Sequence, residues 1–453
     1  MRENRLKSIL CLSACLGALL LSESAEAARL ASHGARPEPP TLLHSKTDSF
    51  QSAAAEVCTV DPAKELFITN VSVVDDCYRT TWSGECSDTA LPATRGAWTF
   101  GRIAEGVFGT DDPKKLSNRV RQWLNLWMEP QVVNSDIVQP RPAIRDLILR
   151  PWEEASGGKV LDMKKAPFRL LAAVVRMDIG EPIFMPNLTS AGEFRLVYNV
   201  LDKAGNPTPF TIILEYNIAI DECQDTLDYA HAFNKLSSME FGPEHNAALQ
   251  ALTDRIITRG ADPERLNGSA LIAVRTNEAF LGDPWQLRNF ELVREAGEDG
   301  NKNAKLAPTI VAPMEKFQGT QALADVINLS TPDLIEGNLG FPRTFRGEPF
   351  LGGAADNRLD LGWDGPSPAC STIDRPVGRW LFSSFSCQGC HGADTATQFV
   401  HVTPRQAGEA SQLSQMMTGV EVTDICGFRV RLNDLRRRKN FQCFLLSLTC
   451  PNE

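Results

Sequence analysis

The chain has 453 residues, of which 43% are hydrophobic and 23% charged, and a formal net charge of −10. That is ordinary globular composition, with length for two or three domains and ample material for a core. The acidic balance argues against nucleic acid and anionic membrane surfaces as general partners.

Residues 1–27 have the make-up of a secretory signal peptide. Arg2, Arg5 and Lys7 give a basic start, Ile9 to Leu21 is an apolar run too short to span a bilayer, and Ala25-Glu26-Ala27 is a small-x-small cleavage site. Two alternatives stay open. One is a membrane anchor. The other is a lipid on Cys15, because Leu12-Ser13-Ala14-Cys15 resembles a bacterial lipobox. No later stretch is long and apolar enough to cross a membrane. The chain is expected to be exported: periplasmic or extracellular, or an outer-membrane lipoprotein tethered through Cys15. Residues 28–55, rich in Ala, Ser and Pro, read as a disordered leader in which His33 and His44 are solvated.

Cysteine usage agrees with export. Beyond Cys11 and Cys15, and apart from a C-x-x-C pair near the end, eight remain: Cys58, Cys77, Cys86, Cys223, Cys370, Cys426, Cys443 and Cys450. They suffice for four bridges in an oxidising compartment. The local pairings expected are Cys77 with Cys86 and Cys426 with Cys443.

Residues 56–340 read as an α+β domain. Asp112-Pro113 followed by Leu116, Val120, Trp123, Leu124 and Trp127 predicts an amphipathic helix ending before Pro130, with both tryptophans in the core. The apolar run Phe168 to Met177 suits strand or helix by length and is read as strand. Residues 193–202 and 209–220 flank Lys203-Ala204-Gly205-Asn206 as a hairpin. A helix is expected over 246–259 with Gly260 as its stop, then strands near 270–275 and 290–293. There is no regular βαβ rhythm, internal repeat, phosphate loop or G-x-S-x-G. Asp221, Glu222, Glu240, His231 and His245 show no metal-ligand spacing, and no hydrolase or transferase motif is present. Asn187-Leu188-Thr189 and Asn267-Gly268-Ser269 are sequons that matter only in a glycosylating pathway.

Residues 341–373 form a Gly/Pro-rich connector whose Phe341, Phe345, Phe350 and Trp363 can pack it against its neighbours. Residues 374–453 read as a small, mainly helical module. Asp374 and Pro376 open a helix over 375–386 with Val377, Trp380, Leu381 and Phe385 on its apolar side. Cys387-Gln388-Gly389-Cys390-His391 follows directly. Two thiols one helical turn apart can add to the two vinyl groups of a haem, and the next histidine is placed to coordinate its iron.

With Gly378 and Phe382 upstream and Gly392 after, this stretch resembles the opening of small c-type cytochrome domains. The likeness is confined to the last fifth of the chain and is strongest over its first twenty residues. It implies one haem c held by Cys387 and Cys390, with His391 as proximal ligand and Met416, Met417 or His401 as candidate sixth ligands. Only 62 residues follow His391, which is short for a complete cytochrome c fold. The whole chain also resembles large secreted bacterial proteins of unassigned function with one late C-x-x-C-H. The implied function is electron transfer to a redox partner protein, or peroxidase-like oxidoreductase chemistry if the sixth position is open. The residues themselves leave two other readings: a zinc site made by both cysteines with His391 and His401, or a plain disulfide in a non-redox binding protein. The basic segment Arg429–Lys439 reads as a solvated helix face or as a docking patch for an acidic partner.

Overall fold

A computed structural model describes residues 58–82, 86, 96–180, 190–295, 301–337, 340–356 and 362–450. The signal-like stretch, Cys15, the leader with its histidines and the Asn187 sequon lie outside the described residues. The architecture is α+β. Its centre is an antiparallel sheet in the order β1 (Phe67–Ile68), β2 (Phe168–Arg176), β3 (Glu193–Leu201), β4 (Pro207–Asn217), β5 (Leu271–Glu278) and β6 (Gln286–Val293). Both β7 (Lys305–Thr309) and β8 (Ala354–Asp356) pair with β6. The run from Phe168 is therefore a strand. Its β-branched and aromatic residues are at home on a pleated surface covered on both sides. The expected hairpin is β3–β4: Asp202 accepts from the amides of Ala204 and Asn206 across the turn, and Gly205 takes φ +82°, which a Cβ would oppose.

The two faces of the sheet carry different loads. Phe194, Leu196, Tyr198, Ile212, Leu214 and Tyr216 join the main core beneath the helices. These include α1 (Phe100–Phe108), α2 (Pro113–Leu124), α3 (Cys223–Ser237) and α4 (Pro243–Ile257). In α2 the Asp112 carboxylate accepts from Lys114 N and Lys115 N, and Pro113 opens the helix as read. Trp123 and Trp127 are both buried, and Trp127 Nε1 donates to Glu278 at 2.8 Å. Helix α4 begins at Pro243, earlier than the expected 246, and stops at Ile257, with Gly260 in the turn beyond at φ +83°. The opposite face presents Ala172, Val174, Val197 and Ile213, and is covered by Val402, Leu413, Met417 and Leu435 from the C-terminal part of the chain.

The Gly/Pro-rich connector packs as its aromatics suggested. Phe350 and Trp363 are fully buried, and the rings of Phe341, Phe350 and Trp363 meet Phe382 in tilted or edge-on contacts. The connector is flanked by α5 (Gln321–Ile335) before it and α6 (Pro376–Phe385) after it, packed on each other, and α7 (Cys387–Cys390) and α8 (Asp434–Leu446) follow. One capping expectation fails. The residue preceding α6 is Arg375, with no side-chain cap, and the Asp374 backbone amide donates to Asn328 Oδ1 at 2.9 Å.

Cys77–Cys86 forms as expected. Cys426–Cys443 does not: Cys426 pairs with Cys370 and Cys443 with Cys58. Cys426 lies in the turn between strands Val420–Thr423 and Arg429–Leu432 and Cys443 in the later helix Asp434–Leu446, so closeness in sequence does not set the pairing. Cys223–Cys450 completes the set. The sequon at Asn267 is closed, because its side chain is buried and donates to Val107 O and Ala304 O.

Candidate metal centre

The turn that carries the motif is shaped by its small residues. Ser386 caps α7: its Oγ accepts from Trp363 Nε1 at 2.8 Å and from Gly389 N at 3.4 Å. Gly389 then passes so close to the end of α6 that a Cβ would lie 2.1 Å from Ser383 O. Glycine is required there by contact, not conformation. His391 N donates to Cys387 O at 3.0 Å and closes the turn. A buried ion cluster holds α6 behind it. Arg379 pairs with Asp394 at 2.5 Å and with Asp424 at 2.9 Å, and Trp380 Nε1 donates to Asp394 O at 3.0 Å.

Past the motif the chain bends back over it, with Ala396 at φ +53° and Phe399 at φ +64°. A bulky residue in the left-handed region costs on the order of 1–3 kcal/mol and persists only where the surroundings dictate it. Here Phe399 O accepts two hydrogen bonds at 2.7 Å, from Asn277 Nδ2 and from His391 Nδ1. Asn277 Oδ1 in turn accepts from Trp285 Nε1, and the Trp285 ring lies 5.4 Å from that of His391. The bend also delivers His401, whose Nδ1 meets Ser414 Oγ at 2.9 Å and whose Nε2 meets Cys390 Sγ at 3.4 Å. The two imidazole centres are 4.5 Å apart.

Cys390, His391 and His401 thus offer three donor atoms within 4.8 Å of one another. Each imidazole has its Nδ1 engaged, which leaves Nε2 for a ligand. This is the outer-shell arrangement usual for metal-binding histidines. All three residues are partly buried. Burial holds His391 down to about 4. It also holds His401 well below the usual histidine range, with His391 adding to the effect. Both rings are therefore neutral donors at ordinary pH. Burial, then the neighbouring Cys387, pushes the Cys390 thiol up to about 12. The thiol keeps its proton until something cationic displaces it, so loading a metal here releases a proton.

The remaining sequence candidates are placed as follows. Cys387 is free, but its Sγ faces Val311 O at 3.8 Å and its side chain packs by Trp285, Ala312 and Ala355. Met417 is buried among Phe67, Leu171, Val174 and Val402, and Met416 beside it is half-buried. The basic segment divides. Arg437 pairs with Asp178 and Asp434, and buried Arg438 pairs with Asp434, while Arg429, Arg431 and Arg436 remain exposed. Asp221, Glu222, His231 and Glu240 are exposed and scattered; His245 is buried and bonded to Lys64 O. Asn277, Trp285, Phe399 and Ser414 were not legible as site residues. Two are neutral polar side chains, one is an aromatic, and Phe399 contributes only its carbonyl.

No helix among the described residues is long and apolar enough to cross a membrane. No protein-family model, curated protein or solved structure matches the chain.

Proposed function

We propose that this is an exported metal-binding protein in which the Cys390 thiolate and the Nε2 atoms of His391 and His401 hold one transition-metal ion. The observation that carries this reading is the spacing of the donors. A tetrahedral ion with metal–sulfur and metal–nitrogen bonds near 2.3 and 2.05 Å sets its sulfur and nitrogen ligands about 3.6 Å apart. Cys390 Sγ and His401 Nε2 stand at 3.4 Å. One thiolate and two imidazoles suit zinc or copper. Zinc would supply a fixed charge and a Lewis acid, whereas copper would supply one-electron chemistry. Export is supported by the signal-like start and by the four disulfides.

Covalent haem at the C-x-x-C-H is the second reading. It is favoured by two unbonded thiols in a chain whose other described cysteines are all paired. Phe399 O also holds His391 Nδ1 and leaves Nε2 toward an iron. His401 would have to swing away from His391 to serve that reading as sixth ligand. Imidazoles on opposite sides of one iron, with bonds near 2.0 Å, place their ring centres about 6 Å apart, not 4.5 Å.

The test is metal content, competitive metal titration and intact mass of the exported full chain with its four disulfides intact and Cys387 and Cys390 as thiols. One equivalent of zinc or copper is expected. Cys390→Ser, His391→Ala and His401→Ala should each weaken it more than about 100-fold, beyond the usual cost of an outer-shell change. Met417→Ala should lower stability and leave the stoichiometry alone. A mass gain of one haem would select the second reading; neither metal nor haem would refute both.

A further inference from the structure

Cys387 is the feature the proposed metal centre leaves unused. It lies one turn before the ligand Cys390 in α7, and both thiols are free and partly buried rather than sealed off. The other eight described cysteines are all in disulfides. In a helical turn, Cα atoms three residues apart are about 5 Å from each other, inside the roughly 4.4–6.8 Å span that a disulfide bridges. The polar contact of Cys387 Sγ is a weak one, to Val311 O at 3.8 Å.

We infer that Cys387 is a resolving thiol and that Cys387 and Cys390 form a reversible disulfide which excludes the metal. This rests on the metal reading above. A metal occupies the Cys390 sulfur as thiolate, and a disulfide occupies the same sulfur covalently, so the two states compete for one atom. The oxidant is a small-molecule or protein disulfide, R–S–S–R. One thiol of the pair gives up its proton to solvent as it attacks the oxidant, forming a mixed disulfide and releasing one R–S⁻. The second thiol, losing its proton in the same way, then attacks the mixed disulfide, forming the Cys387–Cys390 bond and releasing the second R–S⁻. Two electrons pass from the pair to the oxidant, and the two thiol protons end on the released thiols or in solvent. The reaction runs backward with a dithiol reductant, which regenerates the site. His391 and His401 keep their positions throughout, held by Phe399 O and Ser414 Oγ. Reloading therefore needs reduction only.

The experiment uses the full chain with its four other disulfides intact and oxidised glutathione as oxidant. Zinc alone is the metal probe, read by competition with a coloured chelator, and intact mass reports the thiols. Expected results are a loss of two hydrogen atoms in mass, zinc uptake falling at least tenfold, and full recovery with a dithiol. In Cys387→Ser, Cys390 lacks its resolving partner, so a glutathione adduct should persist that the unaltered chain does not retain. Zinc uptake that survives disulfide formation would overturn the switch alone. So would an unaltered chain that keeps free thiols or stable glutathione adducts. No zinc uptake by the reduced chain would overturn the metal reading and the switch with it.

Discussion

Asn277 has no charge and lies 122 residues from Phe399 in sequence, yet it steadies the carbonyl that fixes His391. Its own oxygen is held by Trp285 Nε1. Removing it leaves a buried indole N–H unpaired and Phe399 O with one donor fewer, while every metal-binding atom stays in the chain. Asn277→Ala should weaken metal binding by roughly 10–100-fold, as outer-shell losses do, with a stability cost of about 1–3 kcal/mol from the orphaned donor. Asn277→Asp, which keeps the acceptor for Trp285 but cannot donate to Phe399 O, should recover stability more than affinity. Competitive titration together with denaturant unfolding separates the two, and equal affinity in Asn277→Ala would remove Asn277 from the site. At this scale the sequence was half legible. The C-x-x-C-H spacing names its own cysteines and histidine, and His401 stood out as a candidate. A backbone carbonyl and a neutral amide have no signature in a single sequence.

Among the elements, strands were easier to read than helices. The β2–β4 segments combine β-branched runs with an Asp/Gly/Asn turn, so local and global preferences agree. Helices α1, α3 and α5 were missed because long-range packing makes them: Phe100, Ile103, Leu227 and Phe233 are recognisable as core only once the sheet is present. The short helix Pro62–Glu65 shows the same dependence. Its Glu65 is fully buried against α3, bonded to Ser237 Oγ at 2.6 Å and Asn234 Nδ2 at 3.1 Å, with Oε1 lacking any partner. Burial, opposed by those bonds and by Lys439 and assisted by Asp61, lifts the carboxyl from 4.5 to about 7. Between these values the folded chain holds a proton that the unfolded chain has lost. This contribution is therefore fully present below pH 4.5 and is lost as pH rises through about 7. At about 1.4 kcal/mol per pH unit the loss is about 3 kcal/mol. Glu65→Gln should flatten it. Denaturant midpoints at acidic and alkaline pH provide the check, and identical slopes in both proteins would contradict the assignment.

For the molecule as a whole, the sheet is a partition. One face builds the main core with the helices, and the other is covered by the chain's last third, with the proposed centre at that seam. The seam is charged as well as apolar: Arg195 and Arg275 both reach Glu215 on the sheet, at 3.2 and 3.1 Å, and Arg437 reaches Asp178 at 2.6 Å. Cys58–Cys443 and Cys223–Cys450 fasten the end of the chain to early segments across 385 and 227 residues. Even cysteine number was readable, but pairing was not, because it depends on which elements the fold brings side by side. The most direct test of the central claim is X-ray absorption at the metal edge of the loaded full chain. One sulfur near 2.3 Å and two imidazole nitrogens near 2.0–2.1 Å are predicted. The Cys390→Ser protein should lose the sulfur and the His401→Ala protein one nitrogen. A shell with two sulfurs, one with none, or a porphyrin pattern would contradict it.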